Sequence, residues 1–542
     1  MEKVIFLDTR PRRSTTIYLG AIYLMLTLTM SAGAQTIEAA FSPAGGLAFK
    51  TGPAAGDKLP PLTIDQAFFN WLDRIPAEGE VKLAIYSFSS ETLLNAILAA
   101  ARRGVKVKLL LDGADSWKAD QIETIAGRFN EELRRRPELD LHLAVISSDS
   151  MHTNNRFLLI PNDTGGKLIT GSMHQKFGVV STVAGTRPIN AFFGSANFTG
   201  SSNDSYYENR IFFYDAPAVT SRFNAEFIRL WNRYGIPRVG SCPPENQAPE
   251  LAPRDDDPDI VFNPRRSDGN RPDELAPEAT DKSPTERLIR GYINRACKQA
   301  GTVDAALFSF TRKSLADALL QCAIDHPTVR IRILLDQHQA GLKGGLEDWR
   351  YLMGPYLERE TKRRRLANIQ VRYVWRSNAF SLREGKQIAT LDYRRFPKMH
   401  HKFALINNRF LLTGSYNWTE SAAFRNLENI SVFDEKTVIQ NTVVQGFINE
   451  FSAMWEKAGI RTISGTRARA LGRLIKKALA DTGCRKMRQL IESQPGGYPL
   501  TGVSSRRTPL EEAEITSLVS LIMADLVKLE SGPEGLTAIL RD

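Results

Sequence analysis

Cysteine is scarce in this 542-residue sequence, and none of its four cysteines sits in a C-x-x-C pair. Cys242, Cys297, Cys322 and Cys484 are therefore a poor set for a zinc site. They allow three complete disulfide connectivities, among which the sequence does not choose. Cys322 lies in an apolar helical stretch and reads as a buried free thiol. Carboxylates spaced as a metal cage are also missing, so no metal or other cofactor is expected. Long hydrophobic runs are missing too: Ile17 to Met30 is apolar but short for a membrane span. Basic residues Lys3, Arg10, Arg12 and Arg13 precede that run, and Ala32-Gly33-Ala34 follows it. This is the order of a secretory leader. Residues 1–34 are thus expected to be a signal peptide and the mature chain to be secreted or periplasmic, where disulfides are permitted. Acidic charge is in deficit, with 71 Lys and Arg against 60 Asp and Glu, a formal net charge of +11. A basic surface favours polyanions such as nucleic acid or anionic lipid, although net charge alone says little about chemistry.

What the sequence does have is repetition. MHQKFGVV begins at Met173 and MHHKFALI at Met399, and the surroundings repeat as well. Upstream, Lys82 to Gly113 and Val303 to Gln337 each read as a buried strand, a Ser-Phe turn, an amphipathic helix and a second buried strand ending in Leu-Asp. One helical crossover between two strands implies parallel pairing. Downstream come FFGSANFTG and YYENRIFFYD in one copy, LLTGSYNWTE and NLENISVFDE in the other. EFIRLW from Glu226 then matches EFSAMW from Glu450. The fold class expected is α/β: tandem duplicated mixed α/β domains with pseudo-twofold symmetry and a helical C-terminal tail. The copies are placed at 60–240 and 284–460. Between them, 241–283 is a proline-rich linker expected to be irregular, since Cys242 to Pro284 holds nine of the 27 prolines. Ser283-Pro284-Thr285-Glu286 is a capping box that starts a helix at about Pro284. Residues 461–542 read as a helical extension carrying a basic amphipathic segment.

His174 and Lys176 lie two apart, as do His400 and Lys402. On a strand such pairs share a face. Ser195 and Asn197, and Ser415 and Asn417, repeat that spacing after a glycine. Histidine titrates near neutrality and serves as nucleophile or general acid. Lysine seeks phosphate, and asparagine donates hydrogen bonds to it. If the copies pack about a twofold axis, these groups surround one tetrahedral anion. His401 alternates to the opposite face and reads as structural.

The doubled pattern resembles the signature of the phospholipase D superfamily, H-x-K-x(4)-D-x(6)-G-S-x-N in each half. The second copy has Asn407 at the Asp position and six residues before Gly414. The first has Ser181 there and twelve residues before Gly194. The resemblance covers most of 60–460. It implies a phosphodiester hydrolase in which one histidine, assigned as His174, forms a phosphohistidine, and the other, His400, protonates the leaving alcohol; pseudosymmetry leaves the reverse assignment open. It implies that Lys176, Lys402, Asn197 and Asn417 are catalytic, holding the non-bridging oxygens, with Ser195 and Ser415 at the substrate. Glu208 and Glu428, each eleven positions after its Asn, are expected to fix the histidine tautomers. The partner expected is a phospholipid or membrane surface. Nucleic acid is the alternative, supported by the basic clusters Arg134-Arg135-Arg136 and Lys362 to Arg365. A phosphate-binding protein without activity is the third reading, and intact histidines in both copies oppose it. A monomer is expected.

Overall fold

The computed structural model describes residues 35–42, 49–50, 63–113, 118–147, 171–183, 186, 188–204, 206–246, 250–263, 283–340, 352–374, 380–382, 389–391 and 398–458. The leader expected at 1–34, the helical tail expected at 461–542 and Cys484 lie outside the described residues.

The first sheet contains β1 (Thr36–Ser42), β2 (Phe49–Lys50), β3 (Glu80–Ile85), β4 (Lys106–Gly113), β5 (Leu141–Ser147), β6 (Lys176–Ser181), β7 (Asn190–Gly194), β8 (Tyr206–Tyr214) and β9 (Gly235–Val239). Its order is β2-β1-β8-β7-β6-β3-β4-β5-β9. The second copy adds β10 (Asp259–Asn263), β11 (Thr302–Leu307), β12 (Arg330–Asp336), β13 (Ile369–Val374), the hairpin β14 (Phe380–Leu382) and β15 (Ala389–Leu391), then β16 (Lys398–Met399), β17 (Lys402–Ile406), β18 (Phe410–Gly414) and β19 (Glu428–Asp434). Its sheet runs β10-β19-β18-β17-β11-β12-β13, the same path as β1-β8-β7-β6-β3-β4-β5. The parallel pairs β3/β4 and β11/β12 are the strand–helix–strand units read from the sequence. The crossover helix Glu91–Arg102 starts at Ser90, whose hydroxyl accepts from the Leu93 N–H, and it buries Leu93, Leu94, Ile97 and Leu98.

The 241–283 linker is not irregular throughout. It contains β10, which pairs antiparallel with β19 and sets Asn263 opposite Glu428. In the first copy β1 sets Ser42 opposite Glu208 in the same way. Ile260, Val261 and Phe262 have the β-branched and aromatic character of an edge strand, and β19 offers an open edge to pair with. The proline count of the segment masked that short run. Helix Pro284–Lys298 begins at its capping box, with Ser283 Oγ accepting from the Glu286 N–H. The reading of Cys322 as a free thiol is overturned. Cys297 and Cys322 form a disulfide with their Cα atoms 5.6 Å apart. It joins helix Pro284–Lys298 to helix Lys313–Asp325, two neighbours whose contact no spacing in the sequence announces.

Each copy has its own core between its sheet and the helices on the outer face. A third core is shared. Phe177, Phe193, Phe213, Phe223 and Phe227 of the first copy pack with Phe403, Phe433, Phe447 and Phe451 of the second. Phe433 stacks on both Phe193 and Phe213, at 6.3 and 6.2 Å between centroids. The copies are thus fused through apolar surface.

Candidate active site

The two H-x-K segments lie at the seam between the copies, and each is hydrogen-bonded to the other copy's glutamate strand. His174 N–H donates to the Leu427 carbonyl at 3.0 Å, and His400 N–H to the Tyr207 carbonyl at 3.0 Å. β16 runs parallel to β8, pairing Lys398 with Tyr206 and Met399 with Tyr207. Each segment is also held from below by the aspartate that closes its copy's second parallel strand. Asp112 accepts from Met173 N–H at 2.6 Å, and Asp336 from Met399 N–H at 2.9 Å. The repeated Leu-Asp was the sequence signal for these anchors.

The glutamates cross over. His174 Nδ1 donates to Glu428 Oε2 at 2.9 Å, and His400 Nδ1 lies 2.7 Å from Glu208 Oε1. Each imidazole is therefore oriented by the opposite copy, an exchange that equal spacing within each copy does not reveal. With Nδ1 engaged, Nε2 is left for chemistry. The two pairs are not equivalent. Glu428 also accepts from Ser415 Oγ at 2.6 Å and from Asn426 Nδ2 at 3.1 Å. Glu208 accepts from Ser202 Oγ at 3.2 Å. Asn426 and Tyr206 occupy matching positions, two before each glutamate. Burial, partly offset by the ammonium of Lys402, pushes the Glu208 carboxyl up to about 7. Burial also lowers both histidines: His174 to about 4, against the opposing pull of Glu428, and His400 well below its usual range with help from Lys402 and Lys398.

Lys176 and Lys402 are buried, and each donates to the carbonyl of its own motif histidine, at 2.5 and 2.7 Å. Burial drives Lys402 down to about 8 and holds Lys176 well below its usual range. A phosphate between them would restore both charges. Asn197 and Asn417 each bury a side-chain Oδ1 that has no hydrogen-bond partner among the described residues, so neither amide is tied into the scaffold there. Ser195 and Ser415, expected at the substrate, are fully buried instead. Their hydroxyls accept from the N–H groups of Asn209 and Asn429, both at 3.0 Å. They brace the glutamate strands. The glycine before each serine has a matching reason: a Cβ on Gly194 would stand 2.2 Å from the Asn209 carbonyl oxygen, and one on Gly414 would stand 2.3 Å from that of Asn429.

The remaining motif positions are structural. Asn407 and Asn408 both have positive φ, 58° and 51°, in the turn that joins β17 to β18, where the Arg409 N–H donates to the Ile406 carbonyl at 3.0 Å. Ser181 Oγ donates to the Thr186 carbonyl at 2.9 Å inside the longer first hairpin. His401 is sealed on the opposite face, between Asn209 of the first copy and Glu450, at 2.9 and 3.2 Å. Its counterpart Gln175 donates to Glu226 at 2.8 Å and to the Glu428 carbonyl at 3.2 Å. The sequence reading passed over Tyr86 and Phe308, whose rings lie 4.6 and 4.5 Å from His174 and His400. Their shared position before the repeated Ser-Phe was the available signal. Among the described residues no cluster of three or more His, Cys, Asp or Glu side chains could hold a metal ion. None of the described helices is long and apolar enough to cross a membrane.

Two imidazole–carboxylate pairs beside two buried lysines, repeated about a pseudo-twofold seam, form a site of the kind the doubled H-x-K pattern implies. The chain belongs to the phospholipase D superfamily: the family model described as "Cardiolipin synthase, PLD-like domain" matches residues 75–231 and 289–455. The chain is 25% identical over 186 residues to a mitochondrial cardiolipin hydrolase of Chlamydomonas reinhardtii and 28% identical over 156 residues to one of Xenopus laevis. These matches take in 34 and 29% of this chain and 66 and 55% of the relatives' own lengths. Among solved structures, phosphatidylserine synthase from Haemophilus influenzae aligns with a TM-score of 0.45 at 10% identity, covering 78% of this chain and 92% of that one.

Proposed function

We propose that the protein hydrolyses a phospholipid on the headgroup side of its phosphodiester, through a phosphohistidine on His174. The observation that carries this reading is the crossed pair of hydrogen bonds, His174 to Glu428 and His400 to Glu208. It leaves two Nε2 atoms for one phosphorus and gives them unequal carboxylates. Glu428 is held by His174 Nδ1, Ser415 Oγ and Asn426 Nδ2, which fix it against the imidazole that becomes cationic when phosphorylated. Glu208, raised to about 7, shares a proton with His400 and suits the acid.

In the first step the His174 Nε2 lone pair attacks phosphorus. The P–N bond forms as the bond to the headgroup oxygen breaks, and His400 delivers a proton to that oxygen. In the second step a water molecule gives its proton to His400 while its oxygen attacks phosphorus, and the P–N bond breaks to release phosphatidate. Splitting one displacement into two is the gain from covalent catalysis. Lys176 and Lys402 neutralise the non-bridging oxygens, and the Asn197 and Asn417 amides donate to them. The charge comes from the chain's own ammonium groups, so turnover in EDTA is expected.

The basic clusters have a role within the fold. Arg134 and Arg135 lie in the last turn of helix Ala119–Arg135, and Lys362, Arg363 and Arg364 in that of Met353–Arg364, where cations meet the helix dipole. Arg135 pairs with Glu131, and Arg363 and Arg364 with Glu360. Export is part of the proposal, supported by the leader-like N-terminus and by the Cys297–Cys322 disulfide, which suits an oxidising compartment. The test is to offer phospholipid vesicles and plasmid DNA in parallel, in EDTA. Headgroup release with intact DNA supports the reading; DNA cleavage with intact lipid overturns it.

A further inference from the structure

Resting on the phospholipase reading and its division of roles between the histidines, the contacts around each imidazole carry a second equivalence between the copies. The aspartate that closes each second parallel strand uses one oxygen to hold the motif backbone. Asp112 Oδ1 accepts from Met173 N–H at 2.6 Å, and Asp336 Oδ2 from Met399 N–H at 2.9 Å. The other oxygen is held by a side chain. Asp112 Oδ2 accepts from Lys118 Nζ at 2.5 Å. Asp336 Oδ1 accepts from His338 Nδ1 at 2.7 Å and from the His338 backbone N–H at 3.0 Å.

The same two side chains meet the ring beside each reacting histidine. Lys118 Nζ lies 3.3 Å from the centroid of Tyr86, whose ring is 4.6 Å from that of His174. The His338 ring lies 4.6 Å from that of Phe308, which is 4.5 Å from His400. Lys118 and His338 thus complete one arrangement in both copies, although Lys118 follows its aspartate by six positions and His338 by two. Position for position His338 matches Ala114, so the sequence hides the correspondence. Only the kind of group differs. Lys118 is a buried ammonium against a carboxylate. His338 is a neutral imidazole. Gln339 Oε1 accepts from Phe310 N–H at 2.9 Å, which turns its Nε2 toward His338 Nε2 at 2.7 Å. That ring nitrogen must accept, so the proton sits on Nδ1 and is donated to Asp336.

We propose that Lys118 and His338 are equivalent positioning residues. Each fixes the reacting imidazole of its own copy, through the aspartate that holds the motif backbone and through the ring that touches the imidazole. Lys118 serves His174, which attacks phosphorus. His338 serves His400, which delivers the proton to the leaving oxygen. Displacing a reacting group by about 1 Å can cost on the order of 100-fold in rate. Removing one donor from an aspartate that keeps its others should cost less, roughly 10-fold.

The test uses single-turnover rates on two phosphatidyl esters, one of para-nitrophenol, whose leaving oxygen needs no proton, and one of ethanol, whose oxygen does. His338→Phe keeps a ring against Phe308 and loses the donor to Asp336. It should slow the ethyl ester roughly 10-fold and the aryl ester by less than about threefold, because proton delivery matters only for the first. Lys118→Met should slow both alike; Lys118→Gln replaces it if a thermal melt shows Lys118→Met unfolded. His338→Asn puts an N–H back toward Asp336 and should recover most of the loss on the ethyl ester, which filling space alone would not do. The same leaving-group dependence in the Lys118 and His338 variants, an unaltered His338→Phe, or a His338→Asn as slow as His338→Phe would overturn the proposal and leave the phospholipase reading intact. The reverse pattern, with only the Lys118 variant sparing the aryl ester, would uphold the pairing and exchange the roles of His174 and His400. Wild-type enzyme inert on both esters would overturn the pairing and the phospholipase reading together.

Discussion

Glu428→Gln is the most incisive perturbation, because it alters an atom of the second copy and should disable a histidine of the first. The side chain keeps its shape and loses its charge. Glu428 Oε2 receives His174 Nδ1–H at 2.9 Å and Ser415 Oγ–H at 2.6 Å, while Oε1 receives Asn426 Nδ2–H at 3.1 Å. Every neighbour is a donor, so an amide NH2 has no good place. Turned toward Asn426 it opposes another NH2. Turned toward His174 it forces the imidazole into the tautomer with its proton on Nε2, which cannot attack phosphorus. The surviving hydrogen bond would be neutral, at about half the strength of a charge-assisted one. Loss of the stabilising charge and of the correct tautomer together should cost about 3–5 kcal/mol in the transition state, or roughly 10²–10⁴ in kcat. The assay is a pre-steady-state burst with an activated aryl phosphodiester, which isolates formation of the phosphoenzyme, alongside a thermal melt to establish folding. In a His174→Ala background the same change should add little, because the two residues act as a unit. A folded Glu428→Gln enzyme with a burst within about threefold of wild type would refute the crossed-pair reasoning.

The division of roles gives a second expectation. With a good leaving group that needs no proton, His400→Ala should recover much of its lost burst and His174→Ala none; equal recovery would contradict the assignment. The pH–rate profile should be bell-shaped. Activity falls as pH drops through about 4, where His174 becomes protonated, and as pH rises through about 7, where the Glu208–His400 pair loses the proton its acid role needs. A rate still climbing well above neutrality would oppose that account. The disulfide closes a loop with a sequence separation of 25. Loop closure on that scale is worth about 3 kcal/mol, so Cys322→Ser should unfold earlier in urea by that amount and reducing agent should remove the difference, both read by denaturation curves.

The repeat made much of this arrangement legible before any coordinates. A chain that writes strand, helix, strand, H-x-K strand, G-S-x-N turn and glutamate strand twice repeats its sheet order, because each element's apolar pattern fixes its place locally. The lysine and histidine pairs could be read as sharing a face, since alternation on a strand is a local rule. What stayed hidden was long-range. The exchange of Glu208 and Glu428 depends on how the copies dock, and spacing within a copy is the same for either pairing. Ser195 and Ser415 looked like substrate contacts from their place in the motif, but their hydroxyls accept from the Asn209 and Asn429 N–H groups of the next strand. The Cys297–Cys322 bond and β10 were missed for a similar reason. Each is decided by a neighbour distant in sequence, a facing helix in one case and the open edge of β19 in the other.

The crossing also accounts for why the duplication is retained as one chain with one buried seam. His174 takes both its backbone acceptor, Leu427, and its carboxylate, Glu428, from the second copy, and His400 takes Tyr207 and Glu208 from the first. A single copy therefore holds an imidazole without its orienting carboxylate and a carboxylate without its imidazole. The shared aromatic core brings these halves together, and Gln175 and Asn209 stitch across it by donating to the Glu428 carbonyl and meeting His401. Once fused, the copies are free to diverge at positions that a strict twofold would force to be alike. Asn426 opposite Tyr206, Lys398 opposite Ser172 and Phe308 opposite Tyr86 are such positions. They surround the two imidazoles, where one phosphorus needs a nucleophile on one side and an acid on the other. On the proposed mechanism, near-identical motifs supply the shared chemistry and the unequal residues around them its direction.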